Sequence, residues 1–307
     1  MKNYIPFILL FAMFSAHSQQ ATTVQALGDL TNTRTDSFTF AIIGDYGDDS
    51  KGELLTAEMV KGWNPLFIVT TGDNDYEDKN GKGIDTNITK YYSSYINADL
   101  HKDRFFPCLG NHDQTVSEKA KVIDEYFRLF SFLNRAENYD FTWGPVHFYS
   151  LNSGPNGKVG FVDPATLKDV KPKLAKDTDP FHLVFFHHPF YSSEFGMMPA
   201  PDRFDGYNMD AILNGHIHYY ERMTDSVRHI EYITIGCSGR NDSQCGDKLS
   251  GNKEIVLHHC EDKQNGALKV TVVKLYAPDK KESWRMTFEY YNAAKPGAPL
   301  DTWTILK

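Results

Sequence analysis

The sequence predicts an α/β protein made of two packed mixed β-sheets forming a sandwich flanked by helices. Two observations lead there. Through the first two thirds of the chain, short apolar runs alternate with segments of helical spacing, as in strands joined by helices. In the last third the helical spacing stops, and strand-like runs follow one another between Gly, Asn, Asp and Pro, which predicts a second sheet. Composition permits such a core, with 41% hydrophobic and 14% aromatic residues in 307. A formal net charge of −8 argues against a general nucleic-acid partner, which needs a cationic footprint. Four Cys are too few for a disulfide scaffold.

The chain opens with Met1-Lys2-Asn3, an apolar run from Tyr4 to Phe14, and small residues at Ala16 and Ser18. That is the pattern of a secretory signal peptide over residues 1–18, cleaved near Ser18. The run is too short for the roughly 30 Å hydrocarbon layer, so no membrane anchor is expected and the protein should be secreted or periplasmic. Residues 19–36 are polar and without periodicity, and read as a leader. A single domain is expected over 37–307.

Within that domain Phe38 to Ile43 reads as a strand. Ser50 to Lys61 has helical spacing, with Leu54, Leu55, Met59 and Val60 on one side. Leu66 to Val69 and Phe105 to Leu109 are apolar runs, and Thr89 to Ile96 and Ser117 to Phe130 read as helices. Asp163-Pro164 offers an N-cap and first-turn pair for a helix reaching about Lys176. Leu183 to Phe186 and Met209 to Leu213 are further apolar runs. Ile230 to Ile235, Ile255 to His259, Leu268 to Tyr276, Trp284 to Tyr290 and Thr302 to Leu306 complete the strand-like set. Export permits disulfides. Cys237 and Cys245 could close a loop, Cys108 and Cys260 are harder to place, and the pairing stays open.

Five apolar runs end abruptly in metal-binding residue types. Phe40 to Ile43 leads to Gly44-Asp45-Tyr46-Gly47, and Phe67 to Val69 leads to Gly72-Asp73-Asn74-Asp75-Tyr76. Phe106 to Leu109 leads to Gly110-Asn111-His112-Asp113, Leu183 to Phe186 to His187-His188-Pro189, and Ala211 to Leu213 to Asn214-Gly215-His216-Ile217-His218. In open α/β sheets ligands bind beyond the carboxyl ends of strands. Five adjacent strands would deliver Asp45, Asp73, Tyr76, Asn111, His187, His216 and His218 to one rim. His216 and His218, two apart, would share one face of a strand. Oxygen donors mixed with imidazoles suit Fe, Mn or Zn. Seven donors exceed one tetrahedral ion and suit two. Two ions about 3.5–4 Å apart form a clamp for phosphate-ester hydrolysis, with a metal-bound hydroxide attacking phosphorus in line.

These motifs resemble the calcineurin-like metallophosphoesterases, and within them the small, single-domain (tartrate-resistant acid phosphatase-like) branch of the purple acid phosphatases. That branch is marked by D-x-G, G-D-x-x-Y, G-N-H-D/E, V-x-x-H and G-H-x-H, and all five stand here in order, the fourth as Val184-Phe185-Phe186-His187. Gly47 in place of the wider superfamily's His, together with Tyr76, is the purple-phosphatase pairing. The resemblance covers roughly Phe38 to the C-terminus and implies the metallophosphoesterase fold. It implies a ferric-type site at Asp45, Tyr76 and His218, and a divalent site (Fe, Zn or Mn) at Asn111, His187 and His216, with Asp73 bridging. His112 would lie near the substrate and donate to the phosphate or protonate the leaving alkoxide, and Tyr76 as a phenolate on Fe(III) would give the purple colour. Glu194-Phe195-Gly196 departs from the family's Glu-His-Gly stretch: Glu194 can serve as a proton donor, but the His is absent. The expected activity is acid phosphomonoester hydrolysis on a small phosphate ester. An Mn/Zn phosphodiesterase and a non-catalytic binding protein on the same fold are the alternatives, the last predicting lost ligands where none is missing.

Other residues have plainer readings. His147 sits in a strand-like run and reads as structural, and His101, His182, His229, His258 and His259 as structural or surface residues. Glu221-Arg222 reads as a helix start or an ion-pair element rather than a substrate contact, and Tyr91, Tyr92 and Tyr95 as packing rather than a substrate platform. Lys79, Lys82, Met197-Met198 and Arg203 lie on loops expected to rim the pocket.

Overall fold

The computed structural model describes residues 23–31, 35–76, 83–114, 120–154, 160, 162–197, 204, 207–276 and 282–307. The signal-peptide segment 1–18 lies outside them, as do Lys79, Lys82, Met198 and Arg203. In chain order the strands are β1 (Val24–Asp29), β2 (Ser37–Ile43), β3 (Ile68–Thr70), β4 (Phe105–Pro107), β5 (Asn138–Trp143), β6 (Val146–Ser150), β7 (Phe181–Phe185), β8 (Tyr191–Ser192), β9 (Gly196–Met197), β10 (Ala211–Asn214), β11 (Tyr220–Asp225), β12 (Glu231–Ile235), β13 (Ile255–Glu261), β14 (Gly266–Tyr276), β15 (Glu282–Asn292) and β16 (Asp301–Leu306). The α-helices are α1 (Lys51–Trp63), α2 (Ala120–Leu129) and α3 (Pro164–Lys176), with an irregular helical segment over 83–95.

One sheet has eight strands in the order β1-β5-β6-β7-β10-β12-β11-β13; the other has six, β16-β15-β14-β2-β3-β4. Both are mixed. β6, β7, β10 and β12 run parallel, as do β2, β3 and β4, while the remaining neighbours in each sheet are antiparallel except β1 with β5. The sheets pack through aromatic rings. Phe67 of the six-stranded side stacks on Phe40 at 5.0 Å and meets Trp143 at 4.8 Å and Phe148 at 5.6 Å on the eight-stranded side. Phe106 stacks on Phe141 at 4.2 Å across the same interface. Such rings dominate the burial that holds the layers together. On the outer face of the eight-stranded sheet, Leu167, Val170 and Leu174 of α3 cover Val184 and Ile212.

Local chemistry sets the helix ends. The Asp163 side chain accepts from Ala165 N at 2.7 Å with Pro164 in the first turn, so α3 runs over Pro164–Lys176 as the sequence predicts. Ser50 caps α1 by accepting from Glu53 N at 3.1 Å, and Glu53 Oε2 accepts from Asp49 N at 2.6 Å. This is a capping box displaced by one residue at its return bond.

Four expectations change. First, residues 24–29 of the expected leader form edge strand β1, parallel to β5, tied by Val24 N to Asp169 Oδ2 at 2.8 Å and by Lys173 Nζ to Val24 O at 2.7 Å. Second, the C-terminal strands are no separate sheet. β11, β12 and β13 extend the eight-stranded sheet, whereas β14 pairs antiparallel with β2 and brings β15 and β16 to the six-stranded one. Third, Tyr220–Asp225 is a strand; its alternation is obscured by charges that find partners, Arg222 with Asp301 at 2.7 Å and Glu231 at 3.4 Å. Fourth, Cys237 does not pair with Cys245. Cys245 is joined to Cys260, and Cys237 and Cys108 are buried thiols. Cys237 lies in the core beside the Tyr290 hydroxyl, and Cys260 sits on β13. Among the described residues no helix is long and apolar enough to cross a membrane.

Candidate metal centre

The site lies at the seam between the sheets. β2, β3 and β4 bring Asp45, Asp73 and Asn111 from the six-stranded sheet; β7 and β10 bring His187 and His216 from the eight-stranded one. The expected five adjacent strands are therefore two sets, three and two, whose carboxyl ends face one another. The loops are stitched by backbone bonds, Asp45 N to Gly72 O at 3.1 Å, Tyr76 N to Gly47 O at 2.8 Å and Gly215 N to His187 O at 2.9 Å. Two glycines are demanded by close approach. A Cβ on Gly110 would stand 2.1 Å from Asp73 Oδ1, and one on Gly215 would stand 2.3 Å from Asp45 Oδ2. Asp45, Asp73 and His216 all have left-handed backbone, with φ of 52°, 50° and 71°.

All seven sequence-predicted metal-binding side chains come together, in two groups. In the first, the Tyr76 hydroxyl is 2.8 Å from Asp45 Oδ1 and 2.9 Å from His218 Nε2, and His218 Nε2 is 3.4 Å from Asp45 Oδ1. In the second, Asn111 Oδ1 is 2.9 Å from both His187 Nε2 and His216 Nδ1. Asp73 lies between: its Oδ2 is 3.3 Å from His187 Nε2, and its carboxylate also faces the Tyr76 hydroxyl. His216 and His218 do not share a strand face. β10 ends at Asn214, and the left-handed turn at His216 sends the two rings to different groups.

The donor set fits cations. His187 Nδ1 lies 2.9 Å from the Thr71 carbonyl, which only accepts, so Nδ1 carries the hydrogen. The Nε2 lone pair then meets two further acceptors, Asn111 Oδ1 and Asp73 Oδ2. Acceptors facing acceptors need a positive charge between them. Without a metal that charge is a proton: burial opposes it, Asp73 and Asp45 prevail, and the His187 pKa rises to about 9. His218 repeats the pattern. Asp242 holds its Nδ1 side, Nε2 faces Asp45, and against burial these carboxylates raise its pKa to about 9. Carbonyl or carboxylate on the far nitrogen is how metal-binding imidazoles are usually oriented.

Several supporting residues carry no motif signal. Asp242 and Ser243, whose Oγ accepts from His218 N at 3.0 Å, lie in a loop that reads only as turn-rich. Arg240 sits 4.3 Å over the Tyr76 ring and 3.3 Å from Asp48 Oδ2. His188 packs 4.4 Å from His216, with Nδ1 2.9 Å from Ser153 Oγ. Asp113 closes the third motif, where its place was legible and its work was not. It accepts from Gly110 N at 2.7 Å, Asn74 N at 3.0 Å and Asp75 N at 3.1 Å, clamping two loops, and burial beside Asp73 pushes its pKa up to about 7.

The two expected catalytic residues are placed differently. His112 is at the site: its backbone N donates to Asp73 Oδ1 at 2.8 Å and its ring lies 4.5 Å from that of Tyr76. Glu194 is in the β8–β9 turn, where its backbone N meets Ser192 Oγ at 3.1 Å; its described contacts include none of the seven clustered side chains. A cavity of about 250 Å³ opens beside Tyr76, lined by Asp48, Asp49, Asn87 and Arg240 among others.

The family model of the calcineurin-like phosphoesterases matches residues 17–220. The chain belongs to that family of metal-dependent phosphoester hydrolases. Within it the similarity is to purple acid phosphatases. Purple acid phosphatase 17 of Arabidopsis thaliana is 24% identical over 236 residues, covering 66% of this chain and 69% of its own length. The purple acid phosphatase PPD1 from yellow lupin (Lupinus luteus) seeds superposes with a TM-score of 0.62 at 14% identity, over 89% of this chain and 54% of that one. GAP50, described as the anchor in the inner membrane complex of Plasmodium, has a TM-score of 0.59 at 16% identity, over 88% of both chains. The chain thus spans about half of the lupin protein, and these two structures attest the fold.

Proposed function

We propose that the protein is an acid phosphomonoesterase of the purple type, acting on a small phosphate ester with Fe(III) and a divalent Fe, Zn or Mn ion. The observation that carries this reading is the division of the seven donors into an anionic group with a phenol and a neutral group with an amide and two imidazoles, sharing Asp73. Asp45, Tyr76 and His218 would hold the ferric ion, hard oxygens suiting the higher charge. Asn111, His187 and His216 would hold the divalent ion, and Asp73 both. When bound, such a pair supplies Lewis acidity and an activated water at low pH. It would also reverse the local sign, so that an acidic chain can hold an anionic ester.

The chain's own residues do the rest. Thr71 and Asp242 fix the imidazole tautomers of His187 and His218. His112, held through its backbone on Asp73 and packed on Tyr76, donates a hydrogen bond to a phosphoryl oxygen. Glu194 is the proton donor to the leaving alkoxide; its Oε2 is buried without a hydrogen-bond partner. Glu194→Gln should slow esters with poor leaving groups and spare activated aryl esters. GAP50 has this fold and is described as an anchor, but here the complete donor set favours catalysis. We also place the protein outside the cytoplasm, which the Cys245–Cys260 disulfide supports.

The test is metal analysis and absorption of natively purified protein, with rates on a phosphomonoester and a phosphodiester. Bound iron, a visible band abolished in Tyr76→Phe, and preference for the monoester are expected. A colourless, iron-free protein from iron-replete cells, or preference for the diester, overturns the reading.

A further inference from the structure

A second imidazole–carboxylate cluster stands outside the catalytic seam, on the outer face of the eight-stranded sheet. His147 on β6 and His182 on β7 are paired directly across the strands. Asp140 comes from β5, and Asp177 and Asp179 from the turn between α3 and β7. His147 Nδ1 lies 2.6 Å from Asp177 Oδ2 and 3.4 Å from Asp179 Oδ2, and its Nε2 lies 3.4 Å from Asp140 Oδ1. Asp140 is itself anchored by Lys173 Nζ at 3.1 Å.

The reasoning applied to His187 applies again. An ionised carboxylate only accepts, and carboxylates stand against both ring nitrogens, Asp177 nearest, so no single neutral tautomer answers them all. A positive charge must sit among them. Independently, His182 is fully buried and neither of its ring nitrogens makes a hydrogen bond, although Nε2 lies 3.2 Å from Asp177 Oδ1. A proton on His147 does nothing for that buried ring. A cation held by His147 and Asp177 Oδ2 would fix the carboxylate whose Oδ1 faces that ring and whose Oδ2 also accepts from the Tyr149 hydroxyl at 2.7 Å. One imidazole and two carboxylates, with Asp179 a third exposed and open to solvent, match zinc- or manganese-class sites completed by water.

We propose that His147, Asp177 and Asp179 form a divalent-cation site, separate from the catalytic pair, that pins the α3–β7 turn to β6. Because β7 ends two residues before His187, the ion would steady the strand that delivers a catalytic imidazole. Binding exchanges the His147 Nδ1 proton, released to solvent, for the metal. The inference does not depend on the phosphatase reading.

The test uses the full chain, dialysed to equilibrium against micromolar zinc, with bound metal counted and melting followed with and without zinc. Wild type should hold one equivalent more than Asp179→Asn, and zinc should raise the melting temperature of wild type more than that of the variant. Asp179→Asn should hydrolyse esters at the wild-type rate. His147→Gln should repeat the loss of one equivalent, so that the result does not hang on one substitution. Equal zinc content in wild type and both variants, or an equal melting shift, overturns the proposal.

Discussion

At the seam, Asp45, Asp73 and His216 hold their side chains on left-handed backbone, in loops thrown from five strand ends of two sheets. On the outer face, His147 and His182 stand on ordinary strands, paired by register. Both places gather imidazoles and carboxylates. The seam does so against the conformational preference of the chain, at about 1–2 kcal/mol for each left-handed non-glycine residue. It is held by stitching between loops, by glycines too close to their neighbours to bear a Cβ, and by Asp113. The outer cluster needs less of this: sheet register sets His147 beside His182, and the single α3–β7 turn brings Asp177 and Asp179 to His147. Converging loops face all their donors toward one another around a ligand, whereas a strand face sets its residues in a row and needs a neighbouring turn, here α3–β7, to bring carboxylates against them.

The contrast is open to several tests. The largest effect is expected for Asp73→Asn, which should lower turnover more than about 100-fold and strip metal from both groups, as loss of a shared donor must exceed loss of a supporting one. Metal analysis and turnover of this variant beside His147→Gln, expected to be normal in turnover, would show whether the seam alone is catalytic. Next is the Cys245–Cys260 disulfide, which closes a loop with a sequence separation of 15 and tethers the segment carrying Asp242 and Ser243. Cys245→Ser with Cys260→Ser should cost about 3 kcal/mol in denaturant unfolding and weaken metal binding at the His218 group first. Gly215→Ala should cost about 1–3 kcal/mol by overpacking and displace Asp45, so activity should fall even where the variant is folded. The smallest effect on the site itself belongs to Glu53, beneath the Asp45–Ser50 loop. Burial, reinforced by Asp48 and opposed by backbone donors, raises its pKa from 4.5 to about 9. Its stabilising contribution is therefore complete below pH 4.5 and lost as pH rises through about 9. Unfolding followed against pH should show that decline in wild type and its absence in Glu53→Gln.

Legibility in the sequence follows the same division. The seven donors were readable because each stands at the abrupt end of an apolar run, where a strand must turn. α3 was readable because Asp163 and Pro164 act within a few residues. Asp242, Ser243 and Arg240 were not, because their loop is composed like any turn and reaches the site only through the fold. His147 and His182 read as structural for a related reason: 35 positions apart, they carry no shared pattern until β6 and β7 pair.

Taken alone, the sequence determined which residue types end the strands and in what order, and hence that two cations and a phosphoester chemistry were to be expected. These are properties of short segments, set by side-chain chemistry and hydrophobic period. Only the tertiary structure decided that β14 joins β2, that residues 24–29 close the edge of a sheet, that Cys245 meets Cys260, and that the site lies between two sheets rather than along one rim. The physical reason is that strand pairing and cystine formation join residues far apart in the chain. Their choice rests on the packing of the whole core, which no local pattern encodes.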